Sequence, residues 1–490
     1  MPNMNYKARR STVTSRRSLV AIAQYLALVG IPLLLLVGIL IAGQGLQAPA
    51  PDWPVPAAGK SGSSAPMPNL LLLLGQMALI IAVARSVGRL FRTIHQPQVV
   101  GEMAAGILLG PSLLGWLAPE WFHTVFPVAS LGFLNSVSQI GLLVFMFLVG
   151  LELDPKLLRG QGATVVITSH MSIAVPFVLG AALAYGLYPQ LSDSRVSFLG
   201  FALFLGAAMS VTAFPVLARI LAEKRLLHTR VGAAALACAA IDDVTAWAIL
   251  AAVVLLVRSS AVHGPLWLTL GGSVLFVGIM VMVIRPLLGR YRRHLWDREL
   301  THDRLAGILV FALLSALTTE WLGIHALFGA FLAGAVLPKE TALIQALTEK
   351  LEDVTVVFLL PLFFAFTGLR TSIGLVSSNS LWVICGLIMV VAVIGKMGGS
   401  AVAARLTGMS WREASALGAL LNTRGLMELV ILNVGLDIGV ISPTLFAMMV
   451  LMALTTTFMT TPLLEWIYPA YSVRQEQETQ RVGRLPRKHV

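Results

Sequence analysis

Charge is what this sequence has least of. Only 12% of its 490 residues are Asp, Glu, Lys or Arg, while 57% are hydrophobic; soluble domains carry roughly a quarter charged residues. That ratio excludes an ordinary water-soluble globule, and no polar, mixed-charge stretch is long enough to build a soluble domain beside the apolar runs. Cysteine is nearly absent too. Cys238 and Cys385 both fall inside apolar segments, which leaves no disulfide framework, CxxC pair or cysteine metal site and assigns both thiols to packing. No phosphate-cradling loop, HExxH helix or nucleophile motif occurs in a credible setting, because the glycine-rich stretches lie within apolar runs. These absences weigh against an enzyme and imply no cofactor.

What is present is a succession of membrane-length apolar runs. The first, 19–43, follows a basic stretch holding Lys7, Arg9, Arg10, Arg16 and Arg17. It reads as a retained anchor by its length or, with Ala48-Pro49-Ala50 resembling a cleavage site, as a signal sequence. A Pro/Ala/Gly/Ser-rich linker, 44–68, is expected to be flexible. Thirteen further segments follow, at 69–91, 97–117, 130–152, 163–187, 196–222, 230–258, 266–289, 305–323, 324–338, 354–371, 380–405, 411–437 and 441–467.

With the N-terminus inside, the cytoplasmic loops carry Arg85/Arg89/Arg92, Lys156/Arg159, Lys224/Arg225/Arg230, Arg285/Arg290/Arg292/Arg293, Lys339/Lys350 and Arg405/Arg412, and the tail 468–490 is basic. The alternate loops carry almost none. This agreement with the positive-inside rule predicts a multi-pass inner-membrane protein with both termini cytoplasmic. It also accounts for the net charge of +12 without invoking nucleic acid.

Thirteen core helices divide into six, a connector and six, so an offset of seven inverts the second set relative to the first. The predicted fold is an all-α polytopic membrane protein built on an inverted repeat, with 69–467 as its membrane domain. Weak internal similarity supports the repeat: the stretch Gly101 to Pro111 has a counterpart from Gly329 to Pro338. Generic glycine packing between membrane helices is the other reading of that similarity.

Ionisable groups at membrane depth each cost about 2.5–3.5 kcal/mol on insertion scales, so they mark where function sits. The sharpest case is Ile241-Asp242-Asp243-Val244, near the middle of the run from Val231 to Val257. Adjacent carboxylates point about 100° apart on a helix, so they serve different partners while their titrations stay coupled. Protonation of such a pair competes with binding a monovalent cation, which is a one-site recipe for exchange; an Asp pair satisfied by serines and backbone in a structural core is the bland alternative. Lys396 lies too deep to snorkel and is the natural counter-charge, expected to pair with Asp242 and to release it on cation loading; a lysine that merely neutralises a helix end or packs near lipid headgroups is the alternative.

In Met209-Ser210-Val211-Thr212-Ala213-Phe214-Pro215, the mid-helix Pro215 removes a backbone hydrogen bond and predicts a broken helix with bare carbonyls near Thr212, whose hydroxyl is a further candidate ligand. A plain proline kink is the alternative. Seven helices later, Asn422-Thr423-Arg424-Gly425-Leu426-Met427-Glu428 interrupts another apolar run where the repeat demands a second break, so the two breaks are expected to cross near the midplane. Arg424 and Glu428, four apart on one face, read as a structural pair rather than as ion ligands. Glu102, Glu320, His325 and Asp437 sit nearer span ends and default to interfacial or structural roles.

Taken together, Gln96 to Gly101-Glu102 and Gly110-Pro111, Phe145 to Glu152-Leu153-Asp154, the Thr212 break, Asp242-Asp243, Lys396 and Asn422 to Val430 resemble the monovalent cation:proton antiporter superfamily, in the branch of Kef-type bacterial transporters and plant cation/proton exchangers. The resemblance covers about residues 69–467. It implies a homodimer in which a fixed dimerisation domain supports a moving six-helix core with two crossing broken helices. Carried over by motif, Asp243 is the cation and proton site, Asp242 its partner paired with Lys396, and Thr212 part of the broken-helix site. An Asp-Asp pair with a lysine resembles the electrogenic subgroup. Many Kef-type relatives continue into a nucleotide-binding regulatory domain, which is not expected here. The function expected is exchange of Na⁺ or K⁺ for H⁺ by alternating access; a sodium-coupled symporter of an organic anion and an ion channel are the rivals weighed.

Overall fold

The computed structural model describes residues 28–50, 70–152, 163–224, 226–227, 229–259, 266–290, 300–323 and 325–469. Most of the linker, the loop holding Asp154, Lys156 and Arg159, Arg225, Arg292, Arg293 and the basic segments at both ends lie outside them. Among the described residues the expected spans follow one another in the expected order, two of them in two pieces. They are α1 (Leu28–Gly45), α2 (Leu70–Thr93), α3 (Gln98–Leu109), α4 (Val128–Glu152), α5 (Ala163–Leu191), α6a (Phe198–Ser210) with α6b (Phe214–Glu223), and α7 (Arg230–Ser259). After them come α8 (Leu266–Ile279, continuing to Arg290), α9 (His302–Trp321), α10 (Ala326–Val336), α11 (Thr341–Val354, continuing to Leu369), α12 (Asn379–Leu406), α13a (Trp411–Leu421) with α13b (Leu426–Asp437), and α14 (Pro443–Ile467). Among the described residues, with α3 counted on to Leu117 and the two pieces of α6 as one, twelve spans are long and apolar enough to cross a membrane; α13a and α13b form a bent pair at 44°, and α10 is shorter.

Local chemistry sets the ends. Ser197, Thr301, Ser378, Ser410 and Ser442 cap α6a, α9, α12, α13a and α14 by accepting a backbone N–H of the first turn, and Ser410 with Glu413 forms a capping box. Two expected boundaries move. The run expected at 354–371 belongs to a helix that already begins at Thr341, because Thr341 to Val354 contains no breaker and keeps Glu349, Lys350, Glu352 and Asp353 on its exposed side. Lys350, assigned to a loop, therefore sits in α11 and donates to the Leu300 carbonyl at 2.8 Å. The run expected at 97–117 stops as a helix at Leu109, since Gly110-Pro111 cannot continue it.

The helices form two groups. In one, α2, α3, α4, α9, α10 and α11 pack together; in the other, α5, α6, α7, α12, α13 and α14 do. The first group is held by backbone approach at glycine. A Cβ on Gly106 of α3 would lie 2.2 Å from the Phe364 carbonyl of α11, and one on Gly334 of α10 would lie 2.1 Å from the Phe147 carbonyl of α4. Gly106 and Gly334 are matching positions of the internal similarity, and the inverted repeat exchanges α3 with α10 and α11 with α4. The similarity is therefore that of an inverted pair performing the same packing twice.

Helix α1, with no counterpart in the repeat, lies on the second group. Gly43 packs against Phe198, Leu28 packs beside Ile167, Met171 and Ala403, and the Pro49 carbonyl accepts from Ser194 N at 2.9 Å. The two groups meet where α3 packs on α14 and where α11 ends beside α13b. There Arg370 pairs with Asp437 at 2.7 Å, donates to Asn433 Oδ1 at 3.0 Å and stacks on Phe366, while Asn433 Nδ2 donates to Thr367 at 2.9 Å.

Candidate functional site

The second group closes around two broken helices. α6 opens at Val211-Thr212-Ala213, where the backbone turns extended after Ser210, and restarts at Phe214-Pro215. Pro215 thus stands in the first turn of α6b rather than mid-helix, the one place in a helix where its missing N–H costs nothing. α13 opens at Asn422 to Gly425, and Gly425 takes φ 144°, a conformation that only glycine adopts without strain. The openings cross and bond to one another: Ala213 N donates to the Thr423 carbonyl at 3.0 Å, and Thr212 Oγ1 to the Leu421 carbonyl at 3.3 Å.

A break leaves the last carbonyls of α6a exposed at the negative end of a helix dipole. Two cations meet them. Arg424 donates to the Ala208 and Met209 carbonyls at 3.2 and 2.7 Å, and Lys396 donates to the Ser210 carbonyl. Arg424 also pairs with Glu428 at 2.9 Å, and both side chains are fully buried. The pair read from the sequence is therefore present, with a helix-capping task the sequence did not reveal.

Asp242 and Asp243, side by side on α7, are both buried but differently served. Asp242 is saturated: Oδ1 accepts from Ser169 at 2.7 Å, while Oδ2 accepts from Ser172, from Thr212 at 2.9 Å and from Lys396 at 3.1 Å. Neither oxygen of Asp243 makes a hydrogen bond of ordinary geometry; its electrostatic neighbours are Asp242, Lys396 and the Phe214 amide that opens α6b. One carboxylate is thus committed to the protein and the other is available.

Lys396 reaches this depth through a local defect. Ile394 to Gly398 is a π-helical turn within α12, with Gly395 set against Pro176 and Gly399 against Val175 of α5. Such bulges redirect side chains at functional sites. Its ammonium also donates to the Ser172 carbonyl at 2.9 Å. Ser169 and Ser172 were not picked out from the sequence, although Thr168-Ser169-His170-Met171-Ser172 is a polar cluster inside an apolar run, and that was the available signal. Among the residues assigned to span ends, Glu102 is buried and held by Gln98 at 2.8 Å and Arg85 at 3.3 Å; Glu320 accepts from Ala326 N, and Asp437 joins the contact with Arg370.

Residues 77–466 match the family described as sodium/hydrogen exchanger, transmembrane. The chain belongs to this family. Within it, the chain is 46% identical over 404 residues to the Na(+)/H(+) antiporter NhaS4 of Synechocystis sp., covering 82% of this chain and 98% of that protein. It is 40% identical to cation/H(+) antiporter 17 of Arabidopsis thaliana over 84% of this chain, and 35% identical to K(+)/H(+) antiporter 1 of Saccharomyces cerevisiae over 82%. It spans about half the length of those two relatives, 51% and 47%. The solved structure of the sodium proton antiporter MjNhaP1 from Methanocaldococcus jannaschii has the same exchanger fold at 14% identity, with a TM-score of 0.60 over 83% of this chain and 99% of that one.

Proposed function

We propose that this chain is a secondary active transporter that exchanges a monovalent cation, Na⁺ or K⁺, for H⁺ by alternating access, using the buried Asp242/Asp243 pair at the crossing of α6 and α13. The observation that carries the reading is the division of labour between the two carboxylates. Asp242 has its oxygens filled by Ser169, Ser172, Thr212 and Lys396, whereas no side chain fills either oxygen of Asp243, which has only the Phe214 amide beside it. An unpaired buried carboxylate is costly as a bare charge. It is stable with a proton or with a cation, and those are the two cargoes of an exchanger.

In this mechanism Asp243 holds either cargo. Asp242 and Lys396 form a charge-compensated wall, and cation loading draws Asp242 away from Lys396. Thr212 and the half-helix ends complete the site, while Pro215, Arg424 and Glu428 maintain the breaks and Asn422 stands in the opening of α13. The site bundle, α5 to α7 with α12 to α14, moves against the other bundle, which serves as scaffold and as the interface of a homodimer. Alternate exposure then requires the contact of Arg370 with Asp437 and Asn433 to open. Membership in a family of transporters supports a carrier over an enzyme, and the reading requires no cofactor and no nucleic acid. The basic loops support an inner-membrane location with both termini in the cytoplasm.

The test is Asp243→Asn. It removes the exchangeable charge while keeping the shape, and is expected to abolish cation-driven proton flux in proteoliposomes carrying a pH-reporting dye. Unimpaired exchange by a folded variant would sink the mechanism. Flux far above carrier rates and independent of a proton gradient would instead mark a channel.

A further inference from the structure

Asp243 is not alone at the crossing in having unused polar atoms. Asn422, fully buried in the opening of α13, has neither Oδ1 nor Nδ2 in a hydrogen bond. The backbone on either side of it is held. Leu421 O accepts from Thr212, Thr423 O from Ala213 N, Thr423 Oγ1 donates to Leu420 O at 2.7 Å, and Arg424 N donates to Thr457 at 3.2 Å. These bonds hold the residues on either side of Asn422 against Thr212-Ala213, next to Phe214, whose amide faces Asp243.

A buried amide left without partners costs about 1–3 kcal/mol per group, so its presence calls for a ligand or water that takes it up. A leucine, with the same branched shape and no polar atoms, would avoid that cost. The asparagine carbonyl is a neutral hard oxygen, the kind that replaces the hydration shell of an alkali cation. Asp243 supplies the charge and its own two carboxylate oxygens, and Asp242, already bonded to Ser169, Ser172, Thr212 and Lys396, has none to spare.

We propose that Asn422 is a ligand of the transported alkali-metal cation, its Oδ1 joining an Asp243 carboxylate oxygen on the partly dehydrated ion, and that it thereby sets apparent affinity and the choice among Na⁺, K⁺ and Li⁺. This rests on the exchanger reading above. Asp243 provides binding and exchange with the proton; Asn422 provides a neutral donor whose reach discriminates by ion size.

The experiment uses the full chain in proteoliposomes, with wild type, Asn422→Ala and Asn422→Ser titrated separately with Na⁺, K⁺ and Li⁺ and proton flux as readout. Loss of one good ligand is expected to raise the half-saturating cation concentration roughly tenfold and to change the order of preference, with proton-coupled exchange retained at saturating cation. Asn422→Ser, which keeps a shorter oxygen, is expected to fall between. Wild-type half-saturation and preference in Asn422→Ala, or a lower maximal rate with both unchanged, overturns the proposal and leaves Asn422 to water or to packing. If Asn422→Ala does not fold, cation-dependent thermal stabilisation of detergent-purified wild type and Asn422→Ser decides. A smaller cation-induced rise in Tm for Asn422→Ser supports the ligand role, and an equal rise overturns it. Failure here is distinct from failure of the exchanger reading, which is registered by Asp243→Asn alone.

Discussion

At the residue scale, burial makes the ionic groups depend on one another. Arg424 serves the carbonyls of Ala208 and Met209 and the carboxylate of Glu428 at once, with no access to water. Arg424→Ala would leave a buried anion without its counter-charge and the Ala208 and Met209 carbonyls without their donor. Breaking one partner of a buried pair costs about 3–5 kcal/mol, so a clear fall in the thermal unfolding midpoint in detergent is expected. Adding Glu428→Gln to Arg424→Ala is expected to recover part of that fall, because the uncompensated charge is then gone. A double variant no more stable than Arg424→Ala would show that the arginine acts through the carbonyls alone.

At the scale of elements, the two bundles meet through contacts of different character. Within the α2-to-α4 and α9-to-α11 group, backbone-to-backbone approaches at Gly106 and Gly334 leave no room for sliding. Between the groups, Arg370, just past the end of α11, is tied to α13b by polar side chains, which exchange partners at lower cost than a close-packed glycine seam. If the bundles move as proposed, Arg370→Cys with Asp437→Cys, joined by a short reducible thiol cross-linker in a background with Cys238 and Cys385 replaced by alanine, is expected to block exchange until the link is reduced. Full exchange after quantitative cross-linking would mean that α11 and α13b do not separate during transport.

At the scale of the whole molecule, one shared site couples the cation gradient to pH. A proton on Asp243 excludes the cation, so lowering the pH on the cation side raises the half-saturating cation concentration, approaching about tenfold per pH unit when a single proton competes. Dye-reported exchange across a pH series at graded Na⁺ or K⁺ checks the sign; an apparent affinity independent of pH would separate the two sites and remove the coupling. The extra helix α1 has a defined place in this picture. Through Gly43 on Phe198 and Leu28 beside Met171, it is attached to the bundle that holds the site, not to the opposite one.

Much of this was determined by the sequence alone. Apolar runs divided by basic loops fix the number and order of the helices, since lipid permits few alternatives for a backbone that must satisfy its own hydrogen bonds. Ionisable residues are so rare at membrane depth that Asp242, Asp243 and Lys396 identify themselves by cost, and Pro215 and Gly425 mark the breaks because few residues tolerate those backbone positions. The pairing of Asp242 with Lys396 was already expected; tertiary structure decided which hydroxyls complete it. Ser169, Ser172 and Thr212 all turn to Asp242, and only the packing of α5 and α6 on α7 sets that choice. It also decided that Lys396 and Arg424 both close the end of α6a, because that end exists only once two distant helices have broken and crossed. Periodicity records which residues share a face; it carries no trace of which distant carbonyl a long side chain will meet.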